Sequence, residues 1–190
     1  MDSDLFRAVN DLSKSTPWLH GFATFYAGTA GPALLAVLVL MALVGSRRHE
    51  TSRLAKSVWA GIAPLVAVAL NQPIVHAMNR PRPFVAMPHV LLLTHRSADG
   101  GMPSDHGTLA GAVLGALFLV DRRLGWTAVG VGGLLAASRV YVGAHYPADV
   151  LAGLALGALI AVVGWFLVGP QLTGLLVRLR RTRLRPLLTN

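Results

Sequence analysis

An all-α membrane bundle, with about five transmembrane helices and a short N-terminal interfacial helix, is the fold class this sequence predicts. The chain is 54% hydrophobic and only 13% charged over 190 residues, whereas a soluble domain carries about a quarter charged residues. Five apolar stretches approach or exceed the roughly 20 residues a helix needs to cross a hydrocarbon core about 30 Å thick. The basic residues gather between those stretches, a pattern that sets membrane orientation.

Residues 1–16 place Leu5, Phe6, Val9 and Leu12 near helical spacing among charged and small polar residues, which predicts a helix along the interface. Asp2, Asp4 and Asp11 precede the first apolar run, and that run is too long for a signal peptide, so this end is expected to be retained. Segment A covers about 18–44, with Gly31-Pro32 as the expected kink. Segment B covers about 54–70, extending toward 77, and contains Pro64 and Pro73. Segment C, 104–120, is short and contains glycine, so a buried core helix competes with a span. Segments D and E cover 124–141 and 147–168. Glycine and proline are tolerated in such helices because neighbours re-satisfy the backbone and small residues allow close approach. The whole chain reads as one integral-membrane domain. Residues 171–190 form a basic tail, expected either to rest on anionic lipid headgroups or to serve as a solvated anchor.

Arg47, Arg48, Arg53 and Lys56 flank the A–B loop, Arg122 and Arg123 fill the C–D turn, and five arginines follow E. Together these are eleven of the seventeen Lys and Arg, so their face is expected to be cytoplasmic, with the C-terminus. The N-terminus and the B–C and D–E loops then face outward. Breaking A into two spans would move the N-terminus inside and leave those loops outside. The net charge of +9 is spent on topology, so no nucleic-acid partner is expected. With no cysteine, the chain has no disulfide, thiolate nucleophile or Cys-ligated metal.

Three polar clusters lie at segment ends: Arg80-Pro81-Arg82-Pro83, Pro103-Ser104-Asp105-His106, and Ser138-Arg139 with His145 and Asp149. Counting spans puts all three on the outer face. Pro147 at a first helical position and Asp149 in the first turn mark the start of E. Arg82 and Arg139 near the membrane boundary each want an anion, and a guanidinium fork fits phosphate oxygens bidentately. Ser104 and the free N–H groups at the start of C point the same way. The bland alternative has these arginines snorkelling to headgroups and Ser104 only capping; for Arg80 the two readings stand level. Asp149, four residues from His145, can fix the ring tautomer and leave one nitrogen free to attack phosphorus. His106, from another helix, can protonate the leaving oxygen. Together these residues form a set for phosphoryl transfer without a nucleotide loop, and no cofactor is expected. A zinc site of His106, His145 and Asp149 is the competing metal reading. His20, His49, His76, His89 and His95 read as ordinary interfacial or loop residues. Residues 88–93 form an apolar patch beside the site.

These clusters resemble the type 2 phosphatidic acid phosphatase (PAP2) superfamily, whose pattern is a lysine, six residues and Arg-Pro; Pro-Ser-Gly-His; and Ser-Arg, five residues, His, three residues, Asp. The third part is complete as Ser138, Arg139, His145 and Asp149, the second is Pro103-Ser104-Asp105-His106, and the first ends in Arg82-Pro83. The resemblance covers about 70–150 strongly. It implies a metal-independent phosphatase with His145 as nucleophile, Asp149 as its orienting carboxylate and His106 as general acid. Arg82, Ser104 and Arg139 become the phosphate clamp. Two positions depart from the pattern: Val75 stands where the family has lysine, and Asp105 where it has glycine. His76, Arg80 and Arg96 are the candidates to replace the lost cation. The compact layout resembles the bacterial undecaprenyl-diphosphate phosphatase branch, implying a lipid phosphate substrate at the outer face of a bacterial cytoplasmic membrane. Phosphatidylglycerophosphate, phosphatidic acid and polyprenyl-phosphosugar are alternative substrates, and a non-catalytic lipid-phosphate binding or transport protein is the alternative function. The oligomeric state is left open.

Overall fold

The computed structural model describes residues 1–97 and 99–180, so the expected tail arginines Arg181, Arg183 and Arg185 lie outside the described residues. Helix α1 (Asp2–Ser15) buries Phe6, Asn10 and Ser13 and leaves Leu5 and Leu12 exposed. Phe6 meets Tyr146 edge-on at 5.4 Å between centroids. The Asn10 amide pairs with the Leu91 backbone, donating to its carbonyl at 2.9 Å and accepting its N–H at 3.0 Å. The predicted segment A is one continuous helical stretch, Pro17–Ser46. Within it, α2 (His20–Phe25) joins α3 (Gly31–Ser46) through a π-helical turn at Tyr26–Ala30. The irregularity is therefore a π-turn that ends directly before Gly31-Pro32 and offsets the helix register there. The Tyr26 hydroxyl there donates to the Val131 carbonyl at 3.1 Å.

Helix α4 (Thr51–Met78) runs through Pro64 and Pro73 and stops at Asn79, which takes a left-handed conformation with φ 40° and ψ 40°. Asparagine tolerates that C-terminal geometry better than most residues. A single turn, α5 (Pro83–Ala86), follows. Ser104 caps α6 (Asp105–Val120), and Asp121 caps α7 (Arg122–Tyr141) by accepting from Arg123 and Leu124 N–H. Helix α8 (Pro147–Leu179) continues past the expected end at 168, so the predicted tail begins as helix. The cause is apolar: Leu172, Leu176 and Leu179 recur at helical spacing and pack on Leu54 and Val58. Arg180 then donates to Thr51 Oγ1 at 2.9 Å, tying the end of α8 to the start of α4.

The fold is an all-α polytopic membrane bundle. Among the described residues, three stretches are long and apolar enough to cross a membrane: Pro17–Ser46, Thr51–Ala86 and Pro147–Leu179. The apolar α6 has 16 residues, and α7 has 20 with Arg122, Arg123 and Arg139 among them. About five transmembrane helices were expected, with a buried core helix as the competing reading of the short segment C; α6 packs chiefly against α4, α7 and α8.

Its contact with α8 is backbone against backbone. Gly107, Gly111 and Gly115 repeat every fourth residue on α6 and face Val150, Leu154 and Ala158, while Gly153 and Gly157 of α8 face Ser104 and Thr108. A Cβ at Gly157 would lie 2.0 Å from the Thr108 carbonyl oxygen, and one at Gly111 2.1 Å from that of Leu154. Small residues at four-residue spacing let membrane helices approach this closely. Gly157→Val is expected to cost about 3 kcal/mol or more by overpacking. The mutant should lose most of its detergent-extractable folded protein, whereas Gly130→Ala, with open space around it, should match the parent.

Candidate active site

The glycine contact sets the start of α6 beside the start of α8, and Ser104 N–H donates to the Asp149 carbonyl at 2.9 Å. The end of α4, the end of α7 and the loop before α8 close on the same point. All three sequence clusters therefore meet at one end of the bundle.

His145 is almost wholly buried at its centre. Nδ1 lies 2.9 Å from the Gly101 carbonyl oxygen, and Nε2 lies 3.0 Å from Arg82 Nη1. A carbonyl can only accept and a guanidinium can only donate. The proton therefore sits on Nδ1, and Nε2 presents its lone pair. The expected partner of Nδ1, Asp149, is farther, with Oδ2 at 3.7 Å. The reason is competition for Asp149: its Oδ2 accepts from Tyr146 N–H at 2.9 Å and its Oδ1 from Arg80 Nη1 at 2.6 Å. Burial lowers the His145 pKa below its ordinary value; Asp149 opposes that, and Arg82 and Arg139 reinforce it. Burial and the two arginines thus favour the neutral ring.

The two arginines differ. Arg82 is engaged on every side: Nε donates to the Asp99 carbonyl and Nη2 to the Asp99 carboxylate, both at 3.2 Å, and Nη1 donates to Ala144 O at 3.4 Å as well as to His145. The Asp99 carboxyl stays below its usual range because the Ser97 hydroxyl and Arg82 outweigh its partial burial. Arg139 is nine-tenths buried, its guanidinium makes no hydrogen bond to the described residues, and its Nε is fully enclosed. It lies within electrostatic reach of Arg82, His106 and His145. The His106 ring has no hydrogen bond among the described residues and is coupled to the same groups. Ser104 is buried, and its Oγ accepts from Gly107 N–H at 3.4 Å.

Asp105 turns away from this cluster. Its Oδ1 accepts from Asn71 Nδ2 at 2.7 Å and Gln72 Nε2 at 2.9 Å, so its charge faces α4. Of the three candidates to replace a cation at Val75, only Arg80 reaches the site, where it holds Asp149. His76 is exposed, and Arg96 lies 5.7 Å over the Phe84 ring on the surface. Val75 itself is buried beneath Gly100. The sequence reading missed Asp2, Asp99, Gly101, Asn71 and Gln72. Only the last two carried a signal, as adjacent polar residues inside an apolar segment. Among the described residues, no group of three or more His, Cys, Asp and Glu is placed to hold a metal ion.

Residues 56–171 match the PAP2 superfamily. Undecaprenyl-diphosphatase BcrC of Bacillus subtilis is 35% identical over 163 residues, covering 84% of this chain and 80% of that protein. Two crystal structures share the fold. LpxE of Aquifex aeolicus matches with a TM-score of 0.64 at 22% identity, over 86% of this chain and 93% of its own. A transmembrane PAP2-type phosphatidylglycerolphosphate phosphatase from Bacillus subtilis matches with a TM-score of 0.57 at 21% identity, over 96% and 87%. With two arginines and two histidines gathered at the end of a membrane bundle, and a match of this extent, the chain belongs to the PAP2 superfamily and is a membrane lipid phosphatase.

Proposed function

We propose that this phosphatase hydrolyses a polyprenyl diphosphate through a phosphohistidine on His145, without a metal ion. The observation that carries this reading is Arg139, a buried cation with no anionic partner among the described residues, set beside His106, His145 and Arg82. A phosphoryl group supplies the missing charge. It is also a better acceptor for Arg82 Nη1 than a neutral imidazole, so its arrival releases the Nε2 lone pair. Nε2 then forms the P–N bond as the P–O bond to the leaving group breaks, and His106 gives its proton to that oxygen. Water next attacks phosphorus, yielding a proton to His106, and the P–N electrons return to Nε2. Arg82, Arg139 and the N–H groups at the start of α6 meet the charge on the equatorial oxygens throughout.

An apolar cavity of about 650 Å³ lies under α1, between α2, α7 and α8. It is lined by Leu5, Val9, Leu134, Val150 and Leu154 and reaches Ser138 and Pro147, next to the reacting groups. The substrate's hydrocarbon chain is its occupant in this reading. The choice of a diphosphate follows the Bacillus subtilis relative's name. The site faces outward, Arg47-Arg48 and the basic tail face the cytoplasm beside anionic lipid, and α6 and α7 complete five crossings. Detergent-purified protein is given a polyprenyl diphosphate, phosphatidylglycerophosphate and phosphatidic acid in excess chelator. Phosphate should be released fastest from the diphosphate and at an unchanged rate with chelator. Release from none of them would overturn the proposal.

A further inference from the structure

We propose that Asp2 and Arg80 are positioning residues for the reaction: α1 acts as a strap whose Asp2 carboxylate holds the Arg80 guanidinium against Asp149 and so fixes the carboxylate facing His145. This rests on His145 being the nucleophile.

Asp149 is fully buried, so its charge must be compensated in place. Arg80 does so with one arm, Nη1 to Oδ1 at 2.6 Å, and spends the other on Asp2 Oδ2, also at 2.6 Å. The guanidinium face rests on the Tyr146 ring at 4.3 Å, and that ring is backed by Phe6. The second Asp2 oxygen accepts from Ala148 N–H at 3.0 Å, in the first turn of α8. One residue near the chain's start thereby clamps both the arginine and the helix end that carries Asp149.

The charges alternate: Asp2 negative, Arg80 positive, Asp149 negative. Paired with Asp149 alone, Arg80 would cancel most of that carboxylate's field. Sharing the cation with Asp2 leaves Asp149 net negative toward His145. The benefit comes when Nε2 bonds to phosphorus, because the ring then carries positive charge while Nδ1 keeps its proton. His145 also faces Arg82 from the α4–α5 link and Arg139 from α7, both opposing a positive ring, with His106 from α6 in electrostatic reach. Around Tyr146, Arg7 joins Arg80, Asp2 and Asp149. Among the described residues, Asp149 is therefore the one negative group that directly faces the ring, and its placement matters more for that reason.

The test uses the full chain in detergent, with Asp2→Asn, Arg80→Gln, the double mutant and His145→Ala. Asp2→Asn should lower kcat about 10-fold, a usual effect for a partner that orients a reacting group, with KM changed less than about twofold. It should also move the acid limb of kcat/KM to lower pH, since Arg80 then neutralises Asp149 more fully and the protonated ring loses support. Asp2→Glu should recover part of the rate. In the Arg80→Gln background, Asp2→Asn should have no further effect on kcat, because Asp2 acts through Arg80. A purely structural cap on α8 would keep its effect there. If Arg80→Gln does not fold, Arg80→Lys replaces it, since lysine keeps the charge but cannot fork between two carboxylates. Unchanged kcat and pH profile in Asp2→Asn, or effects that multiply in the double mutant, would overturn the strap. Activity surviving in His145→Ala would instead overturn the nucleophile assignment beneath it.

Discussion

His145→Ala is expected to lower turnover at least about 10⁴-fold on every substrate, the scale seen when the nucleophile of a coupled catalytic set is removed. The expectation rests on His145 Nε2, whose lone pair faces Arg82 Nη1 at 3.0 Å. His106→Ala should behave differently. A lipid alcohol is a poor leaving group and needs the proton, so a phosphatidate should lose about 10²- to 10⁴-fold. An aryl phosphate, or a diphosphate whose leaving group is itself a phosphate, needs little protonation and should lose far less. Steady-state rates on these three substrates check the division of labour, and equal losses on all of them would remove His106 from the general-acid role.

Arg139→Met should separate activity from stability. Removing a fixed charge that meets the developing oxyanion should reduce kcat/KM by about 10²- to 10³-fold. In the folded resting protein that same cation is buried and has no partner among the described residues, so an apolar side chain of similar length should raise stability by about 1–3 kcal/mol. A higher unfolding temperature with activity nearly lost is the expected pair of results. Arg139→Lys should restore only part of the activity, because a single ammonium cannot bind two oxygens in one plane. If Arg139 were only a structural residue, both changes would lower stability.

Much of this was legible in the sequence for identifiable reasons. Charged residues at the ends of apolar segments are costly enough that His106, Arg139, His145 and Asp149 stand out, and counting spans brings them to one end, where the fold gathers them. The helix starts at Ser104 and Pro147 were equally readable, because capping is local chemistry. What was hidden depends on long-range placement. Asp2 is one of several acids near the chain's start, and only the docking of α1 brings it 2.6 Å from Arg80, 78 positions away. Asp99 lies in a loop without periodicity, so nothing local announces that it occupies Arg82. The glycines of α6 read as small residues that allow close approach, but which neighbour needs which glycine was hidden: the α8 backbone passes where a Gly111 side chain would be. Segment E was expected to end near 168, yet leucine packing against α4 carries the helix on through Gly169-Pro170 to Leu179.

Direct trapping of the intermediate tests the central claim. Wild-type enzyme is mixed with a lipid substrate labelled in the phosphoryl group that is transferred, then quenched within milliseconds in alkaline denaturant, because a phosphorus–nitrogen bond is lost in acid. The label should appear on the peptide containing His145, reach its maximum before free phosphate accumulates, and be absent from His145→Ala. Sustained turnover with no labelled enzyme, or label on His106, would contradict it.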